Sequence, residues 1–190
     1  MNSTRIAATA AAFVVAMPAA WAHAADMTDM LGKDLEQWNQ LGDANWTLTD
    51  GVVEADSGNG FLVSKEVFEN FELSLDFYPG PDSNSGVFMR CANPAEITDQ
   101  TCYEANIFDK RPDQTGRTGG IPNVAAPTEV IDSEGQWNSY HIVMDGSHIT
   151  ITLNDVVTVD IEDAKLASGP IALQYAAGSI RFRNVEVGKL

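Results

Sequence analysis

The sequence is poor in positive charge and in the residue types that usually build metal and redox sites. Its 190 residues include two cysteines, three histidines and 11 Lys or Arg against 27 Asp or Glu, which gives a formal net charge of −16. A charge of this sign repels nucleic acid and anionic lipid, so neither is an expected partner. The acids are scattered along the chain rather than grouped, which is typical of a solvated surface.

Several motifs of common enzymes are also missing. The sequence has no glycine-rich loop of the phosphate-binding type, no H-E-x-x-H and no G-x-S-x-G. Two histidines lie beyond the first 25 residues, His141 in an apolar stretch and His148 in a turn. A Ser-His-Asp triad stays open, but each histidine is more typical of an ordinary strand or surface position.

The first residues have the organisation of a secretory signal. A positive charge at Arg5 precedes the uncharged residues 6–20, and small residues at Ala22 and Ala24 provide an A-x-A cleavage site. We expect cleavage after Ala24 and a periplasmic or secreted domain at 25–190. The alternative is an N-terminal membrane anchor, although the run is short and Pro18 interrupts it. No later stretch is long and apolar enough to predict a membrane span.

The two cysteines, Cys91 and Cys102, are expected to form a disulfide, because exported proteins usually meet an oxidising compartment. Their spacing suits a bridge across the base of a hairpin loop, and such a bridge contributes roughly 3 kcal/mol. Free thiols or metal ligands are the alternatives, and the lack of a nearby histidine disfavours metal. The segment 81–85 is dense in oxygen ligands suited to calcium, or is simply a solvated turn.

After the signal, the sequence predicts short strands divided by turns. Residues 71–77 alternate apolar and polar side chains, and Asp50-Gly51 separates two apolar runs, as in a tight hairpin. Ten or more such strands without an amphipathic helix predict one all-β sandwich or barrel at 25–190. Residues 109–133 form a long excursion without a clear period. Short helical turns are possible near 29–38 and 163–166.

Polar side chains interrupt strands that otherwise look buried. Alternation within residues 86–90, 103–109 and 171–175 predicts that Arg90, Glu104, Asn106 and Gln174 share the non-core face of one sheet, beside Phe88 and Tyr175. Sugars are bound by such polar groups next to an apolar surface. The alternative is a structural Arg90–Glu104 pair on an exposed face.

At these positions the sequence resembles the 3-keto-disaccharide hydrolase family, whose fold is a concanavalin-A-like, laminin-G-like jelly roll. Five motifs occur in the family's order. They are Asn-Ser-Gly-Val-Phe-Met-Arg at 84–90, Tyr-Glu-Ala-Asn-Ile-Phe-Asp at 103–109, Trp-Asn-Ser-Tyr at 137–140, Gly-Pro-Ile-Ala-Leu-Gln at 169–174 and Arg-Phe-Arg-Asn-Val at 181–185. The resemblance covers nearly all of residues 25–190.

The resemblance implies chemistry on 3-keto sugars, by removal of the C2 proton and elimination of the glycosidic oxygen. It suggests Glu104 as the general base and Arg90 as the group that stabilises the enolate. Asn106, Asp109 and Gln174 would orient hydroxyls, and a divalent metal would replace or assist Arg90. Many members continue the fourth motif with Asp-His-Gly, whereas residues 175–178 here are Tyr-Ala-Ala-Gly.

Three functions therefore stand open. The first is an exported 3-keto-glycoside hydrolase or lyase, and the second is a non-catalytic glycan-binding β-sandwich. The third is a structural or interaction protein of the envelope, which is supported only by the acidic composition and the expected export.

Overall fold

The computed structural model describes residues 26–190, and the expected signal peptide lies outside them. These residues form two antiparallel sheets packed face to face, as the all-β prediction required. The strands are β1 Thr28–Asp29, β2 Trp38–Gly42, β3 Thr47–Thr49, β4 Val52–Ala55, β5 Gly60–Ser64, β6 Phe71–Pro79, β7 Ser85–Met89, β8 Tyr103–Ile107, β9 Asn138–Asp145, β10 His148–Leu153, β11 Val156–Glu162, β12 Ala172–Tyr175 and β13 Ile180–Lys189.

One sheet has eight strands and the other has five. The larger runs in the order β11-β10-β9-β6-β13-β4-β3, with β1 paired to the second half of β13. The smaller runs β2-β5-β12-β7-β8. The three segments with the polar residues predicted above are thus adjacent strands at one side of the smaller sheet.

The core lies between the sheets and follows the predicted alternation. In β6, the side chains at every second position are at most 1 % exposed: Phe71, Leu73, Leu75 and Phe77. They meet the inward side chains of the smaller sheet, such as Val87, Ala105 and Leu173. Because each strand has one buried face, a shift of register by one residue would expose its apolar set to water, so the pairing is strongly specified.

The chain before the first hairpin differs from the prediction. Its lead-in forms turns and then β2, which pairs with β5 at the sheet edge, instead of a helical turn. Only Trp38 of this strand is buried, so an edge position leaves almost no alternation to detect. Residues 163–166 are also not helical.

Helical structure is nearly absent from residues 26–190. It amounts to one 3₁₀ turn at Gln114–Gly116, inside the long excursion. No helix of the described part is long and apolar enough to cross a membrane.

The predicted disulfide between Cys91 and Cys102 is present. It closes the loop 92–101, which we call the disulfide loop, and Ala92 N donates to Thr101 O just beyond it. Ile97 from this loop packs with Phe88 on the side of the smaller sheet that faces away from the core. The bridge therefore holds the disulfide loop against part of that outer face.

Candidate functional site

The outer face of the smaller sheet carries polar side chains over its β12, β7 and β8 strands. Register pairs Phe88 with Glu104 and Gly86 with Asn106, so these four positions share a face. Ala172 pairs with Phe88, which places Gln174 on the same face by alternation. The predicted gathering of Glu104, Asn106 and Gln174 is confirmed.

Glu104 is the most unusual of these residues, because its carboxyl group is buried. The residue is 5 % exposed, and its side chain leans over Gly86. A Cβ atom at position 86 would lie 2.9 Å from Glu104 Cγ and still closer to Oε1, so only glycine leaves room for this conformation. Gly86 lies on β7, with Asn106 opposite it on β8 and, by continuation of the register, Gln174 opposite it on β12. The carboxyl group of Glu104 therefore lies over β7, between these two residues.

Burial raises the pKa of Glu104 to about 8. The nearby charge of Asp99 raises it further, and Arg111 lowers it by a smaller amount. No hydrogen bond of the carboxyl group contributes to the shift. A carboxyl group with a pKa near neutrality, held without hydrogen-bonding partners among residues 26–190, is suited to proton transfer.

This shift predicts a pH-dependent stability. Between the ordinary glutamate pKa of 4.5 and about 8, the folded protein keeps the Glu104 proton and the unfolded chain releases it. The free energy of unfolding should therefore fall as pH rises through this window, and Glu104→Gln should abolish that part of the fall. We expect the stability of the variant relative to wild type to increase by on the order of 3 kcal/mol from pH 5 to pH 8.

Urea unfolding of both proteins at several pH values measures the effect. The difference between the two curves isolates Glu104, since all other groups titrate in both proteins. Parallel curves across pH 5–8 would show that the group is not buried as described.

Two amide oxygens beside Glu104 lack hydrogen-bond donors among residues 26–190. Asn106 is fully buried and donates through Nδ2 to Gly116 O, while its Oδ1 has no partner. Gln174 Oε1 is also buried and unpartnered. A buried acceptor without a donor is costly, so these two oxygens are candidates to accept from a ligand hydroxyl. Two buried acceptors without donors therefore lie next to a protonatable carboxyl group.

Arg90 does not join this face, and the prediction that it lies beside Glu104 is wrong. It follows β7 with a left-handed φ of 50°, which ends the strand alternation and turns the side chain inward. Its guanidinium donates to Glu69 O at 2.8 Å, to Gly146 O at 2.6 Å, to Leu166 O at 3.3 Å and to Asn70 Oδ1 at 3.2 Å. Burial lowers the pKa of Arg90. The group is 1 % exposed and ties loops together.

Three other predicted ligand-binding residues are also committed elsewhere. The carboxylate of Asp109 accepts hydrogen bonds from Thr118 Oγ1, from Ser133 N and Oγ, and from Glu134 N. These bonds hold the two ends of the long excursion together, and they leave neither carboxylate oxygen for a sugar. Tyr175 faces the core at 5 % exposure, because it is one residue out of phase with Gln174. Phe88 is on the outer face but lies under Ile97.

Phe61 offers an apolar surface that the sequence did not single out. It pairs with Gln174 across β5 and β12, and its ring makes an edge contact with Phe88 at 5.4 Å between centroids. It remains half-buried, whereas Phe88 is 2 % exposed. The aromatic contact predicted for Phe88 is therefore available through its neighbour.

Arg111 is a second residue missed from the sequence. It lies in the excursion after β8, and its side chain packs against Gly116, where an added Cβ would be 3.0 Å from Arg111 Cζ. Gly116 O receives the Asn106 amide, so the guanidinium lies at the border of the polar face. Nothing in the sequence marks this position, because residues 109–133 have no periodicity that would orient their side chains.

His141 and His148 lie on the other sheet. His148 pairs with Asp160 at 2.7 Å, and His141 is 3.8 Å from Glu72. Within the described chain no three His, Cys, Asp or Glu side chains are grouped to hold a metal ion. In the oxygen-rich turn, Lys110 Nζ contacts Asp82 at 2.7 Å and also Glu134.

A groove of about 570 Å³ opens at the β2 edge of the smaller sheet. Leu41, Val63 and the start of the disulfide loop line it. Glu104 is on β8 at the opposite edge, so this groove and the polar face are separate places.

Comparison with known proteins agrees with this architecture. Residues 24–188 match the 3-keto-alpha-glucoside-1,2-lyase-like domain family. The chain belongs to this family. No curated protein matches it by sequence.

Solved structures place the family member among carbohydrate-related folds. A predicted glycosyl hydrolase from Parabacteroides distasonis is 26 % identical, with a TM-score of 0.76 over 86 % of this chain and 99 % of its own. The carbohydrate-binding module CBM66 from Bacillus subtilis is 18 % identical, with a TM-score of 0.65 over 80 % and 96 %. A β-glucanase from Bacillus licheniformis is 12 % identical, with a TM-score of 0.63 over 89 % and 99 %. The last two likenesses establish the jelly-roll fold alone.

Proposed function

We propose that this protein is an exported 3-keto-glycoside hydrolase or lyase. The observation that carries the proposal is the buried Glu104 carboxyl group, with a pKa raised to about 8, beside the unpartnered oxygens of Asn106 and Gln174. Membership of the 3-keto-alpha-glucoside-1,2-lyase-like family supports the substrate class. The expected signal at residues 1–24 supports export.

The proposed reaction begins at C2 of the oxidised sugar. The C3 ketone acidifies the C2 hydrogen, and ionised Glu104 takes that proton while the C2–H electron pair forms the C2–C3 double bond and the carbonyl becomes an enolate. The enolate then returns to a ketone as a C1–C2 double bond forms. The C1–O bond breaks with its electron pair on the leaving oxygen, which takes from Glu104 the proton that Glu104 removed from C2. Water added across C1 and C2 completes a hydrolysis.

The amide oxygens have a positioning role in this proposal. Hydroxyls that flank the ketone would donate to Asn106 Oδ1 and Gln174 Oε1, which satisfies two buried acceptors at once. The half-buried ring of Phe61 would contact an apolar face of the sugar. Such contacts hold C2 against the carboxylate, and orientation of this kind is a large part of catalysis.

The direct test is product release. Purified protein incubated with a 3-keto disaccharide, with and without added divalent cations, should liberate free sugar that chromatography separates from substrate. If no sugar is released in either condition, the enzymatic proposal is wrong.

Glycan binding without catalysis is the second candidate. It is favoured by Ala176, which follows β12 and stands where many relatives carry the histidine of Asp-His-Gly, so this chain lacks that side chain. Binding on a glycan array that persists in Glu104→Gln, together with no product release, would support this function over the first.

A further inference from the structure

A site that generates an enolate needs a positive group, and Arg90 does not supply it. Each of its guanidinium nitrogens is already bonded to oxygens of other loops. Lys110 is also engaged, since its ammonium group lies between Asp82 and Glu134. Arg117 donates through Nη1 to Asp109 O, although its buried Nε has no partner among residues 26–190.

Arg111 has the opposite character. Its guanidinium makes no hydrogen bond within residues 26–190, although its charge also acts on the Asp113 carboxylate. Its backbone N–H donates to Phe108 O. The side chain is half-buried against Gly116, and this contact depends on the absence of a Cβ there. An arginine has five N–H donors. Because the Arg111 guanidinium bonds none of them within residues 26–190, these donors are available to a ligand.

The position of Arg111 is fixed relative to the polar face. The same Gly116 that supports its side chain accepts the hydrogen bond of Asn106, which is two residues along β8 from Glu104. The electrostatic influence of Arg111 also reaches Glu104. The guanidinium and the carboxyl group are therefore near enough to interact electrostatically, one from the excursion and one from the sheet.

We infer that Arg111 binds the C3 oxygen of the 3-keto sugar and stabilises its enolate. This inference rests on the proposed function. The carbonyl oxygen would accept from the guanidinium while Glu104 removes the adjacent C2 proton. The negative charge of the enolate would then develop on the C3 oxygen, next to the positive guanidinium. Donors aimed at developing charge are commonly the largest single contribution to such catalysis.

Turnover by Arg111→Gln and Arg111→Lys tests the inference. We expect Arg111→Gln to lower kcat on a 3-keto disaccharide by about 10²- to 10³-fold and to raise KM by about 10-fold, and the lysine variant to recover part of both losses. Lys110→Gln removes the same charge one residue away, outside the site, and should stay within about 2-fold of wild type. Urea unfolding of each variant checks that the loss is not one of folding.

Binding provides a second readout that does not need turnover. In the Glu104→Gln background, calorimetry would compare methyl 3-keto-glucoside with methyl glucoside, which differ only at C3. We expect the keto sugar to bind about 10-fold more tightly, and the added Arg111→Gln change to remove that preference.

The outcomes separate the two proposals. Release of sugar by wild type and undiminished release by folded Arg111→Gln would overturn the role of Arg111 and leave the proposed function standing. No release by wild type would overturn the proposed function, and the binding preference would then decide Arg111. A preference that survives Arg111→Gln refutes carbonyl recognition by this residue, and a preference that disappears supports it.

Discussion

Glu104→Gln is expected to lower kcat on a 3-keto disaccharide by about 10²- to 10⁴-fold, the range found when a general base is removed. The amide has nearly the shape of the carboxyl group, so it fits above Gly86 but takes up no proton. The buried site also favours an uncharged side chain, which means that the variant should be at least as stable as wild type. The loss would therefore be chemical rather than structural.

The role of Glu104 as general base also predicts how the activity of the wild-type protein depends on pH. A base must be ionised to act, and burial holds the pKa of Glu104 at about 8. The value of kcat/KM should rise with pH and level off above about 8, and the residual activity of Glu104→Gln should lack this rise. Initial rates of sugar release between pH 5 and 9.5 measure both.

Glu96→Gln is the matched control for this experiment. Glu96 is an exposed carboxylate in the disulfide loop, so its change should leave kcat within about 2-fold of wild type. A Glu104→Gln protein that keeps kcat within about 3-fold would contradict the assignment of the base.

The second large effect is expected on stability. Arg90→Met should lower the free energy of unfolding by about 3 to 5 kcal/mol, because several buried oxygens lose a charged donor at once. Those oxygens belong to the loop before β6, to the β9–β10 turn and to the loop before β12. Methionine fills part of the space but donates nothing, so the lost hydrogen bonds account for the cost.

Urea unfolding measures this prediction, with Arg181→Met as its control. Arg181 is exposed and its Nε lies 3.3 Å from Glu54 at the surface, a pairing of small value. We expect a change below about 1 kcal/mol there. If Arg90→Met instead unfolds like wild type and loses activity, Arg90 has the catalytic role that the family resemblance first suggested.

The comparison of Arg90 with Glu104 shows how far strand alternation can be trusted. Within β8, alternation correctly placed Glu104 and Asn106 on one face, because hydrogen bonding to β7 continues through both residues. Arg90 is one residue past the end of β7, and its left-handed backbone breaks the alternation. Asp109 lies beyond the end of β8 in the same way. Side chains alternate between the two faces of a sheet only where the hydrogen-bond ladder between the strands continues.

The residues of the long excursion were beyond sequence reasoning for a related reason. Arg111 and the 3₁₀ turn lie in a stretch that neither alternates nor repeats at helical spacing. Their placement depends on contacts distant in sequence, such as the hydrogen bonds from Ser133 and Glu134 to Asp109. Such contacts leave no local pattern.

The sequence by itself determined the all-β class, most strands, the Cys91–Cys102 bridge and the family, because each depends on short-range periodicity, spacing or motifs. It also brought Glu104, Asn106 and Gln174 to one face, since their strands alternate regularly. Only the tertiary structure decided that Glu104 is buried over Gly86, that Arg90 turns inward and that Arg111 borders the site. Burial and charge at a point in space are set by all the segments that meet there, and a local pattern describes only one of them.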